Sequence, residues 1–399
     1  MVPDAGRPRI DIEGRHISSD SPCFFVAEAG TAHGGDLSRA KDLVDACAES
    51  GADCVKFQAV FAEEIVHPKS GAILLPGGKT QLFRKFLALE KDESFYAEIK
   101  SYAERRDLIF LCTPFGVKSA ELLQRIGVAA IKIASPEINH LPLLDYCSSL
   151  GRPCIVSTGV STLGDIENAV LRLRTPIALL HCVTSYPAPP EEYNVSMIEN
   201  LEAIFGVPVG VSDHSIDPVL IPVLARLSGA SIIEKHITLE ISTRELDDPI
   251  ALRPDGFAEM TREIGYADSD PTGALEALAG RFGEDTIERC IGDGVKRVAP
   301  SERGSYRSTN RSILAIRNIA PGERFTHENT ALLRSETNIE PGLSPSMYKF
   351  VLARVARNQI SSSEGIGWRD IGDQAPAPAP VDTPGVSSVV PDSSAERYS

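Results

Sequence analysis

The chain has 399 residues, 42% of them hydrophobic and 24% charged, with a formal net charge of -15. That length can bury one large core and a smaller one. No run of 18 apolar residues occurs, which excludes an apolar membrane-spanning helix, and the acidic balance opposes non-specific nucleic-acid binding.

The first residues, MVPDAGRPRIDIEGRH, lack the apolar stretch of a secretory leader, so a cytoplasmic location is expected. Residues 1–20 read as an N-terminal extension. From 21 to 268, short β-branched runs that end in polar residues alternate with amphipathic stretches of helix length. The strand-like runs are CFFVAEAG (23–30), CVKFQ (54–58), LIFLCTPF (108–115), AAIKIAS (129–135), CIVSTG (154–159), IALLHC (177–182), VPVGVSD (207–213) and SIIEKHIT (231–238). Between them fall LSRAKDLVDACAES, which Asp36 can cap, then GVKSAELLQRIG, LPLLDYCSSLG, TLGDIENAVLRLR and DPVLIPVLARLSG. Runs this apolar suit parallel strands buried on both faces. Eight βα units predict an α/β fold, a (β/α)8 TIM barrel. A doubly wound open sheet would want a G-x-G-x-x-G loop, which is absent. Residues 59–95, with GAILLPGGK, read as an extended loop over one barrel face.

ADSDPTGALEALAG opens a stretch, 269–303, that reads as linker. A small β-rich domain is expected over 304–373, with short strands at RSILAI and ERFT and turns at Ala320-Pro-Gly and Glu340-Pro-Gly. Residues 296–373 carry 12 Lys+Arg against 8 Asp+Glu. That basic block either docks electrostatically on the acidic barrel or is solvated independently. The tail, 374–399, is rich in Pro, Ala and Ser and reads as disordered. Eight cysteines form no C-x-x-C pair and are expected as small buried hydrophobes with free thiols.

A barrel places its chemistry at the C-terminal ends of its strands. Polar residues gather there: Glu28, Lys56 and Gln58, Thr113, Lys132 and Ser135, Ser157 and Thr158, Ser212, and Glu234 with His236. A buried ammonium needs an anion nearby. With hydroxyls around Lys56 and Lys132, a phosphate is the economical partner; a core carboxylate on each lysine is the alternative. His214 and His236 follow or end neighbouring strands, and two imidazoles with open positions suit a divalent metal, whereas a lone histidine is usually structural. Glu28 and Glu234 suit a general base or the orientation of water, or else a structural ion pair. Together these suggest a phosphorylated substrate reacting with a polarised carbonyl.

The ordered motifs AEAGTAHGGD, GADCVKFQ, TPF, IKIAS, STG, HCVTSYPAP, GVSDHS and IIEKHITLE resemble those of the sialic acid (N-acetylneuraminate) synthase family over about residues 20–265. TNRSILAIRNIAPGERFTHENTALLRS and PGLSPSMY resemble that family's antifreeze-like (SAF) domain. The resemblance implies condensation of phosphoenolpyruvate with an N-acetylmannosamine-like aldose. The products would be phosphate and a 2-keto-3-deoxy nonulosonic acid, with Mn2+ or Mg2+ as cofactor. It implies that Lys56, Thr113, Lys132, Ser135, Ser157 and Ser212 bind phosphoenolpyruvate, and that His214 and His236 hold the metal. Glu28, Gln58, Glu137, Tyr186 and Asp247 would lie near the sugar and the reacting carbons. Arg311 would reach the sugar from the partner subunit of a domain-swapped homodimer. Three departures lie on the sugar side: Ala32 in place of an asparagine, Pro136 in place of a glycine, and Asp248 in place of a histidine. They direct doubt to the acceptor, so the same chemistry on another aldose, in a surface-polysaccharide or secondary-metabolite pathway, is an alternative. A metal-dependent aldolase and a non-catalytic sugar binder are the remaining rivals.

Overall fold

The computed structural model describes residues 7–75, 78–241 and 245–374. Eight strands close into a parallel barrel: β1 (Phe24–Gly30), β2 (Cys54–Ala59), β3 (Ile109–Pro114), β4 (Ile131–Ile133), β5 (Cys154–Ser157), β6 (Ile177–Cys182), β7 (Val209–Asp213) and β8 (Ile232–His236). All eight expected strands are present, in chain order around the ring. Parallel pairing sets Glu28 beside both Lys56 and His236, and Ser212 beside Glu234.

The expected helices also form. Asp36 caps Leu37–Glu49 by accepting from the Arg39 amide at 2.8 Å, and the helix Val117–Ile126 closes on Gly127 at φ 71°. Apolar residues on these helices and on the outward strand faces make the main core. Inside the barrel a second core, with Val26, Cys54, Leu111, Ala130, Ile155, Leu180 and Ile232, occupies the N-terminal half. It is plugged by a hairpin, Ile10–Ile12 with Arg15–Ile17, whose Ile10, Ile12 and Ile17 point into it. Part of the expected extension is therefore the floor of the barrel.

Two other regions differ from expectation. Residues 59–95 hold a helix (Ala62–Ile65), a hairpin (Ala72–Leu75 with Gly78–Gln81) and a helix (Leu82–Leu89), rather than loop alone. The stretch 269–303 carries helices Pro271–Phe282 and Glu284–Ile291, whose Ala274, Leu278, Ile287 and Cys290 join the main core. Proline at the first helical position and the Asp270 carboxylate accepting from the Gly273 amide start a helix where Pro and Gly suggested a break.

In the small domain, β9 (Arg311–Ala315) pairs with β10 (Thr330–Arg334), and β11 (Arg354–Ala356) with β12 (Ile371–Gln374). The expected strand at ERFT contributes one bridge, Arg324 to Val355. The domain docks on the barrel through charge: Arg311 and Arg334 both bind Glu137, at 2.5 Å each. All eight cysteines are free and buried. Among the described residues, no helix is long and apolar enough to cross a membrane. The tail after Gln374 lies outside the described residues.

Candidate active site

The C-terminal mouth of the barrel opens into a cavity of about 450 Å³. Glu28, Lys56, Gln58, Thr113, Lys132, Ser135, Ser157, Tyr186, Ser212, His214, Glu234, His236 and Asp247 all line it. Five of the inward strand positions there lie two residues beyond an apolar one in the interior core. Val26 precedes Glu28, Cys54 precedes Lys56, Ala130 precedes Lys132, Ile155 precedes Ser157 and Ile232 precedes Glu234.

The two ammonium groups share the cavity and its two carboxylates. Lys56 Nζ lies 2.7 Å from Glu28 and 3.6 Å from Glu234, and Lys132 Nζ lies 3.5 Å from Glu234. Thus the carboxylate partners considered for each lysine are real. Lys132 donates to the Ser157 hydroxyl at 2.6 Å and Lys56 to the Thr113 hydroxyl at 3.3 Å. The Gln58 amide donates to Glu28 at 2.7 Å, and Ser212 to Glu234 at 3.0 Å.

Burial drives the electrostatics. It pushes the Glu28 carboxyl above its ordinary range against the pull of Lys56. It also opposes the Lys56 charge, but Glu234 and Glu28 together hold that group above the usual lysine value. Lys132 is pulled below its usual value by burial, only partly offset by Glu234. Burial would raise Glu234 too, yet Lys132 and Lys56 hold it low. The two carboxyls therefore lean in opposite directions, Glu28 above and Glu234 below the ordinary carboxylate range.

His214 and His236 sit with ring centroids 5.6 Å apart, and Tyr186 stacks on His214 at 4.4 Å. The Val183 carbonyl accepts from His214 Nδ1 at 2.8 Å, so that nitrogen carries a proton, and Nε2 lies 3.5 Å from the Tyr186 hydroxyl on the cavity side. Burial, with His214 next in size, holds His236 neutral, and its Nδ1 lies 3.8 Å from Asp247. Burial opposes the His214 charge, but Cys182 and the Val183 carbonyl hold that ring up to about 9, so it must give up its proton before the two imidazoles can take a divalent ion together. Among the described residues, no group of three or more His, Cys, Asp and Glu side chains stands ready to hold an ion by itself.

Three residues named from the sequence lie off the cavity. The Thr158 hydroxyl donates to the Leu180 carbonyl at 3.0 Å. Glu137 is fully buried between Arg311 and Arg334, a carboxylate saturated by two guanidinium groups and closed to substrate. Arg311 is buried on Glu137 of its own chain and on the carbonyls of Ile65, Phe115 and Leu332. The small domain reaches the cavity instead through Ser305, Thr309, Arg334 and Glu336, with Ser301 just before it. These were missed, as was an apolar wall of Leu82, Phe86, Phe115 and Leu246. The basic arginine after ALL was the one signal available for Arg334.

Fold and cavity together define an enzyme of the (β/α)8-barrel class. A model of the NeuB family matches residues 43–270 and one of the SAF domain matches 310–372. The chain belongs to the NeuB family. It is 35% identical to the spore coat polysaccharide biosynthesis protein SpsE of Bacillus subtilis, over 90% of this chain and 96% of that one. The crystal structure of SpsE matches with a TM-score of 0.76, covering 92% of this chain and 99% of SpsE. The chain is also 32% identical to the N,N'-diacetyllegionaminic acid synthase of Campylobacter jejuni, over 86% of this chain and 98% of that one. Identity to the pseudaminic acid synthase of Helicobacter pylori is 30%, over 88% and 98%. The protein is a synthase by family.

Proposed function

We propose that this cavity condenses phosphoenolpyruvate with the open-chain aldehyde of an N-acetylmannosamine-like aldose, giving a 2-keto-3-deoxy nonulosonic acid and phosphate. The observation that carries the reading is the pair Lys56 and Lys132, both buried and both facing one cavity edged by hydroxyls. Phosphoenolpyruvate bears a phosphate and a carboxylate, and each needs a cation in a site shielded from water. Ser157 accepts from Lys132, so its hydroxyl proton remains to be donated to an anion, and Ser135 beside it accepts from the Gly159 amide at 3.0 Å.

In the proposed reaction, carbon 3 of the enol phosphate forms a bond to the aldehyde carbon, and the aldehyde oxygen takes up a proton. Water adds at carbon 2 and loses a proton. The bond from carbon 2 to the phosphate oxygen then breaks; phosphate leaves with that oxygen and takes up the second proton of the water, and the oxygen left on carbon 2 becomes the ketone. Glu28, held toward its protonated form and oriented by Gln58, gives or takes the proton beside the reacting carbons. Glu234 stays ionised and keeps both ammonium groups charged and aimed. His214 and His236, with Asp247 beside them, would hold Mn2+ or Mg2+, which supplies Lewis acidity for the aldehyde and the water.

Relatives of this chain are named for different acid products, and the wall of Leu82, Phe86, Phe115 and Leu246 favours an acceptor that carries an apolar substituent. A panel of aldoses with phosphoenolpyruvate, read by inorganic phosphate and product mass, tests both parts. Phosphate release that requires phosphoenolpyruvate, aldose and a divalent metal together supports the synthase. Turnover with pyruvate in place of phosphoenolpyruvate would make it an aldolase. A cytoplasmic location and a domain-swapped homodimer belong to the same proposal; in such a dimer the contacts that Arg311 and Arg334 make to Glu137 of their own chain would be made to the neighbouring barrel, and sedimentation showing only monomer would remove it.

A further inference from the structure

The turn after β5, residues 158–160, is held in a conformation that its sequence does not favour. Val160 has φ +41°. A β-branched residue in the left-handed region is strained, and such strain persists only where the surroundings over-determine it. Here they do. The Glu302 carboxylate, 1% exposed, accepts from the Val160 amide at 2.7 Å through Oε1. The same oxygen accepts from the Thr184 amide at 2.6 Å, and Oε2 accepts from the Ala299 amide at 2.9 Å. Asn310, at the start of the small domain, donates to the Val160 carbonyl at 2.8 Å. Lys296 donates to the Thr158 carbonyl at 2.8 Å. Both backbone groups of the strained residue are thus fixed by side chains from outside the barrel proper.

The turn also builds the cavity. It follows Ser157 directly, and its Gly159 amide donates to Ser135, which joins the β4 and β5 hydroxyls into one edge. A Cβ at Gly159 would overlap the Thr184 hydroxyl, so the β5 and β6 turns meet with no spare room.

We propose that Glu302 and Asn310 are positioning residues that clamp Val160 in its strained turn, so that the Ser135–Ser157 edge of the cavity forms only when the segment 296–310 is docked. The clamp rests on the reading of that edge as the phosphate side. It makes the segment between barrel and small domain part of the active-site scaffold: Ser301, Ser305 and Thr309 line the cavity, while Glu302 and Asn310 act from behind it.

The test uses the full chain. In Glu302→Gln the side chain keeps its size but exchanges one accepting oxygen for a donor that faces backbone amides. Loss of one charge-assisted hydrogen bond predicts a KM for phosphoenolpyruvate raised by about tenfold or more, with kcat changed less than about threefold. Amide exchange at Val160 and Thr184 should accelerate by a similar factor, while exchange in β1 and β2 stays unchanged. Asn310→Ala should act in the same direction. Adding Val160→Gly, which adopts positive φ without strain, to Glu302→Gln should recover most of the lost KM. Unchanged KM in Glu302→Gln, or an equal fall of kcat with no change in KM, would overturn the clamp; a double variant no better than Glu302→Gln would overturn the role of strain. If the wild type does not turn over phosphoenolpyruvate, the functional reading fails. The exchange rates then still decide the clamp: unchanged exchange at Val160 and Thr184 overturns it.

Discussion

The two halves of the barrel interior are built on the same strands and differ by one step of two residues. Toward the N-terminal end the inward side chains are Val26, Cys54, Leu111, Ala130, Ile155 and Ile232, sealed by the hairpin isoleucines. One step later they are Glu28, Lys56, Thr113, Lys132, Ser157 and Glu234. The lower layer gains free energy by excluding water and needs no partner. The upper layer is costly to bury and is tolerable only because its charges neutralise one another. A folding core can lose atoms and keep its neighbours; a charged layer loses its logic when one member goes. The lower half thus carries stability, and the proposed chemistry falls to the upper half.

The largest expected effect comes from unbalancing the upper layer. Lys132→Met keeps the volume but leaves Glu234 with Lys56 alone. Phosphate release from phosphoenolpyruvate and aldose should fall on the order of 10³-fold, as when a fixed electrostatic group is removed from an active site, with the fold intact by circular dichroism. A rate within tenfold of wild type would take that lysine out of the mechanism. Chelation should likewise stop turnover, and added Mn2+ or Mg2+ should restore it; full rate in excess chelator would count against any role for His214 and His236 as ligands.

The lower layer should respond in the opposite sense. Ile155→Ala, two residues before Ser157, is expected to cost roughly 2–5 kcal/mol in urea unfolding, while KM for phosphoenolpyruvate stays within about twofold. Ser157→Ala should reverse the pattern, with a small change in stability and a clear rise in KM. Equal effects of both substitutions on KM would erase the distinction between the layers.

A smaller effect sharpens the contrast with buried histidines that burial keeps uncharged. His33 packs against Phe57 and Phe95, and His181 against the Tyr193 carbonyl. Burial lowers them to about 4 and about 3, respectively. An unfolded histidine takes up its proton near pH 6.5, before either folded one does. Stability therefore falls as the pH drops from about 6.5 toward 4, by up to about 1.4 kcal/mol per pH unit for each group. Denaturation midpoints at pH 7 and pH 5 check this. His33→Phe or His181→Gln should flatten the slope, and an unchanged slope in both would show that other groups set it.

The eight strands were legible in the sequence because parallel strands buried on both faces leave continuous apolar runs, and the polar residue closing each run marked the mouth. Lys56, Lys132 and the two histidines were legible for the same reason. What was not legible depends on docking between distant segments. Arg311 and Arg334 lie on neighbouring strands of one small sheet, paired at Cα level. Nothing in their local sequence says that Arg311 seals Glu137 while Arg334 also edges the cavity. The floor hairpin and the helices at 271–291 were hidden differently. Their signals, a short alternation around Gly14 and a proline after a capping aspartate, are also the signals of loops.

The central claim is that the mouth of this barrel grips an enol phosphate with Lys56 and Lys132. Titration calorimetry of phosphoenolpyruvate into the wild type and into Lys132→Met, with Mn2+ present and no aldose, measures it directly. Saturable binding to the wild type, weakened about a hundredfold or more in the variant and absent for pyruvate, is the expected result. Equal affinity in the two proteins, or no binding to the wild type, would contradict it.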